Sequence, residues 1–312
     1  MVSEPFFLDL SQTVLVTHQN CLDGSGCAVL FVRAGGRVEN VRYCPAGALD
    51  RMLAKPGSAD LFDGARPLLV TDLGVSRDNA DILEKAGHVR LLDHHRTSLG
   101  LSERHWCTLD MDRCATEMLA DELGLRAVPT LAETATFVGQ VGAFDMFRTG
   151  SDDFVFGEAL AMYHQFVGQE EFVAEYSTKR CLTGLIREKT ELLRTLARRR
   201  VRNVDKILST LRIREGEVMT MHSPPVWTSL AIGYVFGDED ISFALHRVLD
   251  AHPDVDVAAG ISVGAGTVSL RSRDGRPDVS EIARVHGGGG HAAAAGHRLP
   301  SGLIEELISE VH

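Results

Sequence analysis

Asp93, His94 and His95 stand in a row directly after the apolar run Val89 to Leu92 (VRLL). A carboxylate and two imidazoles offer the oxygen and nitrogen donors that suit Mn²⁺, Fe²⁺, Co²⁺ or Zn²⁺. Such a tripeptide also occurs in ordinary loops, so its weight comes from its company. Asp72 follows a second apolar run, Pro67 to Thr71 (PLLVT), and His18 and Asp23 follow a third, Thr13 to Thr17 (TVLVT). Asp145 lies inside the apolar stretch VGAFDMF. Taken singly, Asp72 reads equally as a helix cap, and Asn20, Asp23 and Gly24 as turn residues. Taken together, these acids and histidines are expected at the strand ends of one sheet. Packed carboxylates raise one another's pKa unless a cation neutralises them. One or two divalent ions there would lower the pKa of a bound water and brace the oxygens of a phosphoryl displacement.

A second constellation lies near the other end, where Gly287, Gly288, Gly289 and Gly290 precede His291 and the run Ala292 to Ala295. Consecutive glycines cost backbone entropy, but they let a backbone approach a ligand and aim N–H groups at an anion. The alanine run is expected to start a helix, whose N-terminus also favours phosphate; the alternative is a turn without a ligand. Arg271, in SLRSR, is either a phosphate contact or a surface strand residue. His286 and His297, which flank the loop, read as structural. There is no Walker A sequence, and no GxGxxG follows the first strand, which argues against a dehydrogenase.

Elements must place these residues. Strands expected at Thr13 to Thr17, Val38 to Cys44, Pro67 to Thr71 and Val89 to Leu92 alternate with helices at Gly24 to Arg33 and Arg77 to Ala86. That alternation predicts an α/β fold whose N-terminal domain is a mostly parallel sheet with helices on both faces. Ligands of such sheets sit beyond the C-terminal strand ends, where the acids and histidines fall. Residues 114–210 read as mainly helical, and Lys179 to Arg214 carries twelve Lys or Arg against three acids. This stretch is either a solvated helical face with snorkelling cations or a positive wall toward an anionic substrate. A smaller C-terminal α/β domain is expected from Arg214. It would have strands at Val218 to Met221 and Ser229 to Val235, a helix at Ile241 to Leu249 and a hairpin turning at Gly264 to Gly266. A short helix there would be capped by Asp278 and Glu281 and end at Gly287. The expected division is a metal-binding domain over 1–190, a connecting helix over 191–213 and a substrate-binding domain over 214–312.

Composition narrows the classes. The 312 residues are 44% hydrophobic and 24% charged, which excludes disordered and fibrous chains. No apolar stretch is long enough for a membrane span, and the N-terminus lacks the pattern of a secretory signal. Six cysteines without a CxxC pair fit reduced thiols in the cytoplasm. Cys21, inside the first cluster, reads as a small filler or a contact of the site. The net charge of −11 disfavours avid binding of long nucleic acid.

On the residues His18-Gln19-Asn20-Cys21-Leu22-Asp23-Gly24, Asp72, Asp93-His94-His95, Asp145 and the Gly287 to Gly296 loop, the chain resembles the DHH family of phosphoesterases. Its first motif takes the HxNCxDG form. The joint occurrence of DHH and GGGGH about 190 residues apart is the specific part of the match. The resemblance implies hydrolysis of phosphoesters of short oligonucleotides or small nucleotides by metal-activated water, with one or two divalent ions, Mn²⁺ foremost. It implies His18, Asp23, Asp72, His94 and Asp145 as metal ligands, with Asp72 bridging. Asp93 and His95 would support the site or meet the phosphate. Asn20, Arg271, Gly288, Gly289, Gly290 and His291 would hold the substrate. The partner is then a short phosphorylated nucleotide or oligonucleotide and not a membrane, and the apolar helices between the domains permit a homodimer. Two other readings are a phosphomonoesterase or pyrophosphatase-like enzyme on a small anion, and a non-catalytic nucleic-acid-binding protein with a degenerate metal site.

Overall fold

Val14–His18 (VLVTH) is short and β-branched, which favours a buried strand over a helix, and in the computed structural model it is the second strand of a parallel sheet. The structure describes residues 9–45, 47–54, 66–85, 87–125, 132–148, 150–178, 188–218, 226–235, 240–273 and 275–299. The chain divides into two units, Met1–Arg194 and Thr195–His312.

In the first unit, β1 (Val14–His18), β2 (Val41–Cys44), β3 (Leu68–Thr71), β4 (Val89–Asp93) and β5 (Cys107–Leu109) lie in the order β2-β1-β3-β4-β5, every pair parallel. The chain steps from β1 to β2 on one side and then to β3 on the other. That reversal opens a crevice at the C-terminal ends of β1 and β3. On one face, Val16, Val70 and Leu91 meet Leu49 and Leu53 of α2 (Ala48–Leu53) and Ala80 and Leu83 of α3 (Arg77–Lys85). On the other, α1 (Leu22–Arg33) and α4 (Ala115–Glu122) pack over β1, β3 and β4. Cover on both faces explains why these strands are unbroken apolar runs rather than alternating ones. Each buried leucine such as Leu69 or Leu91 contributes about 1.5–3 kcal/mol.

Three further helices come next, α5 (Ala132–Asp145), α6 (Asp152–Val167) and α7 (Gln169–Thr178), and α1 packs against α5 and α7. Gly157 lets α5 and α6 close together: a Cβ there would lie 2.3 Å from the Gln140 carbonyl oxygen. The strand expected from Val38 begins only at Val41, because Val38–Asn40 form a 3-10 turn whose Asn40 amide donates to the Ser11 carbonyl (3.0 Å). Asp145 ends helix α5 rather than a strand, since Phe137, Val138 and Val141 recur at helical spacing and bury one face. α2 and β5, each six residues or fewer, were not foreseen.

In the second unit, β6 (Arg212–Val218), β7 (Val226–Val235), β8 (Val257–Ser262), β9 (Thr267–Ser272), β10 (Gly289–Gly290) and β11 (Ala294–Arg298) form a sheet in the order β10-β11-β9-β8-β7-β6. Among the described strands of this sheet, only β7 and β8 pair in parallel. Helix α8 (Thr190–Ser209) leads into this unit, where its Val204 and Ile207 pack on Ala244 of α9 (Ile241–Ala251). One of its cations is committed: Arg200 pairs with Asp240 at 2.7 Å. The short helix α10 (Val279–Val285) is capped by Asp278, which accepts from the Ser280 amide (3.0 Å).

The expected hairpin forms between β8 and β9, but the helix expected at Ala292 to Ala295 does not. The His291 amide donates to the Ala294 carbonyl (2.7 Å) and closes a tight turn into β11. β11 pairs with β9 from Ala294–Arg271 to Arg298–Thr267, and Ala295 joins Leu270 and Ile282 in the core. Pairing and burial override alanine's helix propensity. The strand expected at Val218 to Met221 instead covers Arg212–Val218. Residues 219–221, and Cys181, Leu182, Leu185 and Ile186 of the basic stretch, lie outside the described residues. No described helix is long and apolar enough to cross a membrane.

Candidate active site

Residues directly after the strands line the crevice between β1 and β3. Past His18 the chain turns through Asn20 in the left-handed region (φ 57°), and Cys21 caps α1, its Sγ accepting from the Gly24 amide (3.1 Å). Gly24 is required here, because a Cβ would lie 2.3 Å from the His18 carbonyl oxygen. After β3, Asp72 also takes a left-handed conformation (φ 56°). Asn and Asp are the non-glycine residues that tolerate this best.

Asp72 is the hub. Its Oδ1 lies 3.2 Å from His94 Nε2, and its Oδ2 lies 3.4 Å from His18 Nδ1 and 2.9 Å from Cys21 Sγ. His94 Nε2 is 3.9 Å from both Asp23 Oδ2 and Asp145 Oδ2. The donor atoms of Asp23, Asp72 and His94 fall within 4.8 Å of one another, as do those of His18, Cys21 and Asp72. Two triads thus share one carboxylate. Asp72 is 3% exposed while Asp145 keeps 24%, so Asp145 stands at the mouth.

The charges inside are strongly coupled. Burial, then Asp23, pushes the Asp145 carboxyl up to about 8. Burial and Asp72 also raise Asp23. Burial is the largest single effect on both His94 and Asp72 and opposes their charged forms, but their partners together outweigh it. His94 is pushed up to about 10 by Asp72, Asp145 and Asp23, and Asp72 is held well below the usual carboxylate range by His18 and then His94. An imidazolium therefore neutralises the carboxylates when no other cation is there. A divalent ion would carry more charge into the same place and would compete with the His94 proton. The donor set fits a divalent metal.

Asp23 does a second job. Its Oδ2 and Oδ1 accept from the Ala115 and Thr116 amides (2.8 and 2.7 Å) at the start of α4. Asp93 stands back from the hub. It is fully buried, accepting from His95 Nδ1 (2.6 Å) and Ser98 Oγ (2.5 Å), and it holds the His95 ring. Asp93 also raises the His95 pKa against the opposing effect of burial.

In the second unit the glycines build a hairpin. A Cβ on Gly288 would lie 2.1 Å from the Gly296 carbonyl oxygen, and one on Gly290 (φ 141°) 2.5 Å from that of Ala294, whereas Gly289 has open space. Arg271 pairs in the ladder with Ala294, so it sits on the strand beside the His291 turn. Its guanidinium donates to Ser242 Oγ (2.6 Å) and the Leu270 carbonyl (2.8 Å), while its Nε is buried without a partner among the described residues. Burial lowers its pKa to about 10. His286 and His297 stack on each other, with centroids 4.6 Å apart.

No protein-family model matches the chain. It is 27% identical to oligoribonuclease NrnB of Bacillus subtilis over 329 residues, spanning 95% of this chain and 75% of that protein. Its fold is similar to the DHH domain of a member of a ribosomal-protein family, with a TM-score of 0.57, 12% identity and coverage of 96% of this chain and 86% of that one. These similarities agree with the resemblance to the DHH family of phosphoesterases. Manganese-bound exonuclease RecJ has a similar fold, with a TM-score of 0.52, 13% identity and coverage of 96% and 89%.

One part of the site was not foreseen from the sequence. Gln169, at the start of α7, accepts from the Asn20 amide (2.8 Å) and donates to the His18 carbonyl (3.0 Å) and to Ser25 Oγ (2.9 Å). Ser25 Oγ lies 2.8 Å from His164 Nε2. Burial lowers His164 to about 4, so its ring is neutral at physiological pH. A strap from α6 and α7 thus fixes the turn that carries His18 and Asn20. Its local signal was slight: a glutamine after Gly168 at a helix start.

Proposed function

We propose that the protein hydrolyses phosphodiester bonds of short oligonucleotides or small nucleotides. The observation that carries this reading is the pair of donor triads sharing Asp72 at the sheet's switch point. His18, Asp23, Asp72, His94 and Asp145 would hold one or two divalent ions, with Mn²⁺ the preferred metal. A bound divalent ion supplies activation of water at neutral pH and offsets charge on phosphoryl oxygens. Asp93 fixes the His95 ring as carboxylates fix imidazoles around metal sites, and the charged ring stabilises the phosphoryl oxygens. Gly289, with open space around it, and Gly288, Gly290, His291, Arg271 and Asn20 would hold the substrate. A guanidinium with a spare buried donor suits a phosphate oxygen. The relatives support the reading: one is named as an oligoribonuclease and another as an exonuclease bound to manganese.

The test is one hydrolysis panel with Mn²⁺, comparing dinucleotides, longer single strands, cyclic dinucleotides, a nucleoside 3′,5′-bisphosphate and inorganic pyrophosphate. The reading expects turnover of dinucleotides above all. Turnover confined to the bisphosphate or pyrophosphate would replace it with a small-anion phosphatase, and binding without turnover would replace it with a nucleic-acid binder.

A further inference from the structure

The C-terminal edge of the first sheet carries a second concavity. A cleft of about 660 Å³ lies over β2 and β1, walled by the Gln19–Asn20 turn, Arg42 and Tyr43 of β2, and Glu170 and Glu171 of α7. Pockets for small organic ligands occupy roughly 300–1,000 Å³. Tyr43 is the ladder partner of Thr17, the residue before His18, and the Gln19 amide donates to the Cys44 carbonyl (2.9 Å). The Asn20 turn therefore separates this cleft from the Asp72 cluster, one strand away.

The lining says what fits. Two carboxylates and one guanidinium line it, and Arg42 already gives its Nη1 to the Glu39 and Val41 carbonyls (2.6 and 3.0 Å). Such a wall repels phosphate. An aromatic ring beside carboxylate acceptors suits a nucleobase, which stacks by its face and donates from its amino and imino edge. The phenol stays neutral at physiological pH, because burial and then Glu170 push it up to about 12.

We propose that this cleft binds the base of the nucleotide whose phosphate is cut at Asp72, with Tyr43 stacking and Glu170 and Glu171 accepting from the base edge. The proposal rests on the phosphodiesterase reading above. Guanine, with adjacent N1–H and N2–H donors, fits a carboxylate best, and uracil, without an amino group, fits worst.

Two measurements on the full chain test it. With Mn²⁺, the kcat/KM ratio of a guanine dinucleotide over its abasic counterpart should fall roughly 5- to 150-fold in Tyr43→Ala, the worth of one base–aromatic stack. The guanine-over-uracil preference should vanish in the Glu170→Gln, Glu171→Gln double variant. Unchanged ratios would overturn the proposal. Without metal, guanosine binding followed by ligand-observed NMR reads the cleft without turnover; it is expected in the wild type and lost in Tyr43→Ala. Absence of guanosine binding overturns the cleft even where dinucleotides are cut. Binding without any hydrolysis overturns only the phosphodiesterase reading.

Discussion

Asp72 and Asp23 sit in one cluster, yet replacing them should have different consequences. Asp72 touches His18, Cys21 and His94 and, among the described residues, supports no backbone amide of a helix. Asp72→Asn should therefore remove turnover while leaving the metal-free melting temperature within a few degrees of wild type. Asp23 caps α4 through two amides, so Asp23→Ala should cost about 0.5–2 kcal/mol of stability even without metal. Thermal unfolding of both metal-free variants separates the roles, and equal losses would contradict the assignment. The raised pKa values give a pH test. Folding raises Asp145 from 3.8 to about 8 and His94 from 6.5 to about 10, so the folded chain keeps protons that the unfolded chain releases. Their stabilisation is complete below the unfolded values and lost as pH rises toward the folded ones. Asp72 and Asp93, whose values are lowered, are ionised in both states above neutrality and add no slope there. The metal-free melting temperature should thus fall between pH 7 and pH 9. The gain on adding Mn²⁺ should grow over the same interval, because metal competes with those protons. A flat or rising metal-free profile would contradict this. The gathering of His18, Asp23, Asp72 and His94 was legible because each follows an apolar run expected as a strand of one sheet. Gln169 was not, because its contacts to His18 and Asn20 span about 150 residues of chain.

At the scale of elements, the glycine hairpin and the α7 strap each carry a prediction. Gly288→Ala places a Cβ 2.1 Å from a backbone oxygen, so β10 must shift away from β11. That variant should lose about 1–3 kcal/mol in thermal or urea unfolding, as overpacked positions do, whereas Gly289→Ala, with open space, should lose little. Equal losses would contradict the hairpin geometry. Gln169→Ala removes the partner of the Asn20 amide and of the His18 carbonyl, at a cost of about 0.5–1.5 kcal/mol per hydrogen bond. It should lower kcat more than it raises KM, a split that steady-state kinetics resolves. The parallel sheet was legible because strands covered on both faces show as unbroken apolar runs. The hairpin was misread because Ala292 to Ala295 has a strong helical preference, and only pairing with β9 reveals it as strand. Asp145 was grouped with the strand-end acids, yet it lies in the stretch 114–210 that reads as mainly helical, and it ends helix α5.

For the whole molecule, the net charge of −11 and the small acid-lined crevice fit a short substrate better than a long polyanion. Catalytic efficiency should peak at roughly two to five nucleotides and change little between about 50 and 200 mM salt, unlike proteins that neutralise many phosphates. The structure separates Met1–Arg194 from Thr195–His312. The central claim is that Asp72 organises a divalent-metal site for phosphodiester hydrolysis. The most direct measurement is turnover of one dinucleotide by wild type and Asp72→Asn, each stripped of metal and then titrated with Mn²⁺. The account predicts no turnover in the stripped wild type, recovery on titration, and no recovery in the variant. Turnover without metal, or equal recovery in Asp72→Asn, would contradict it.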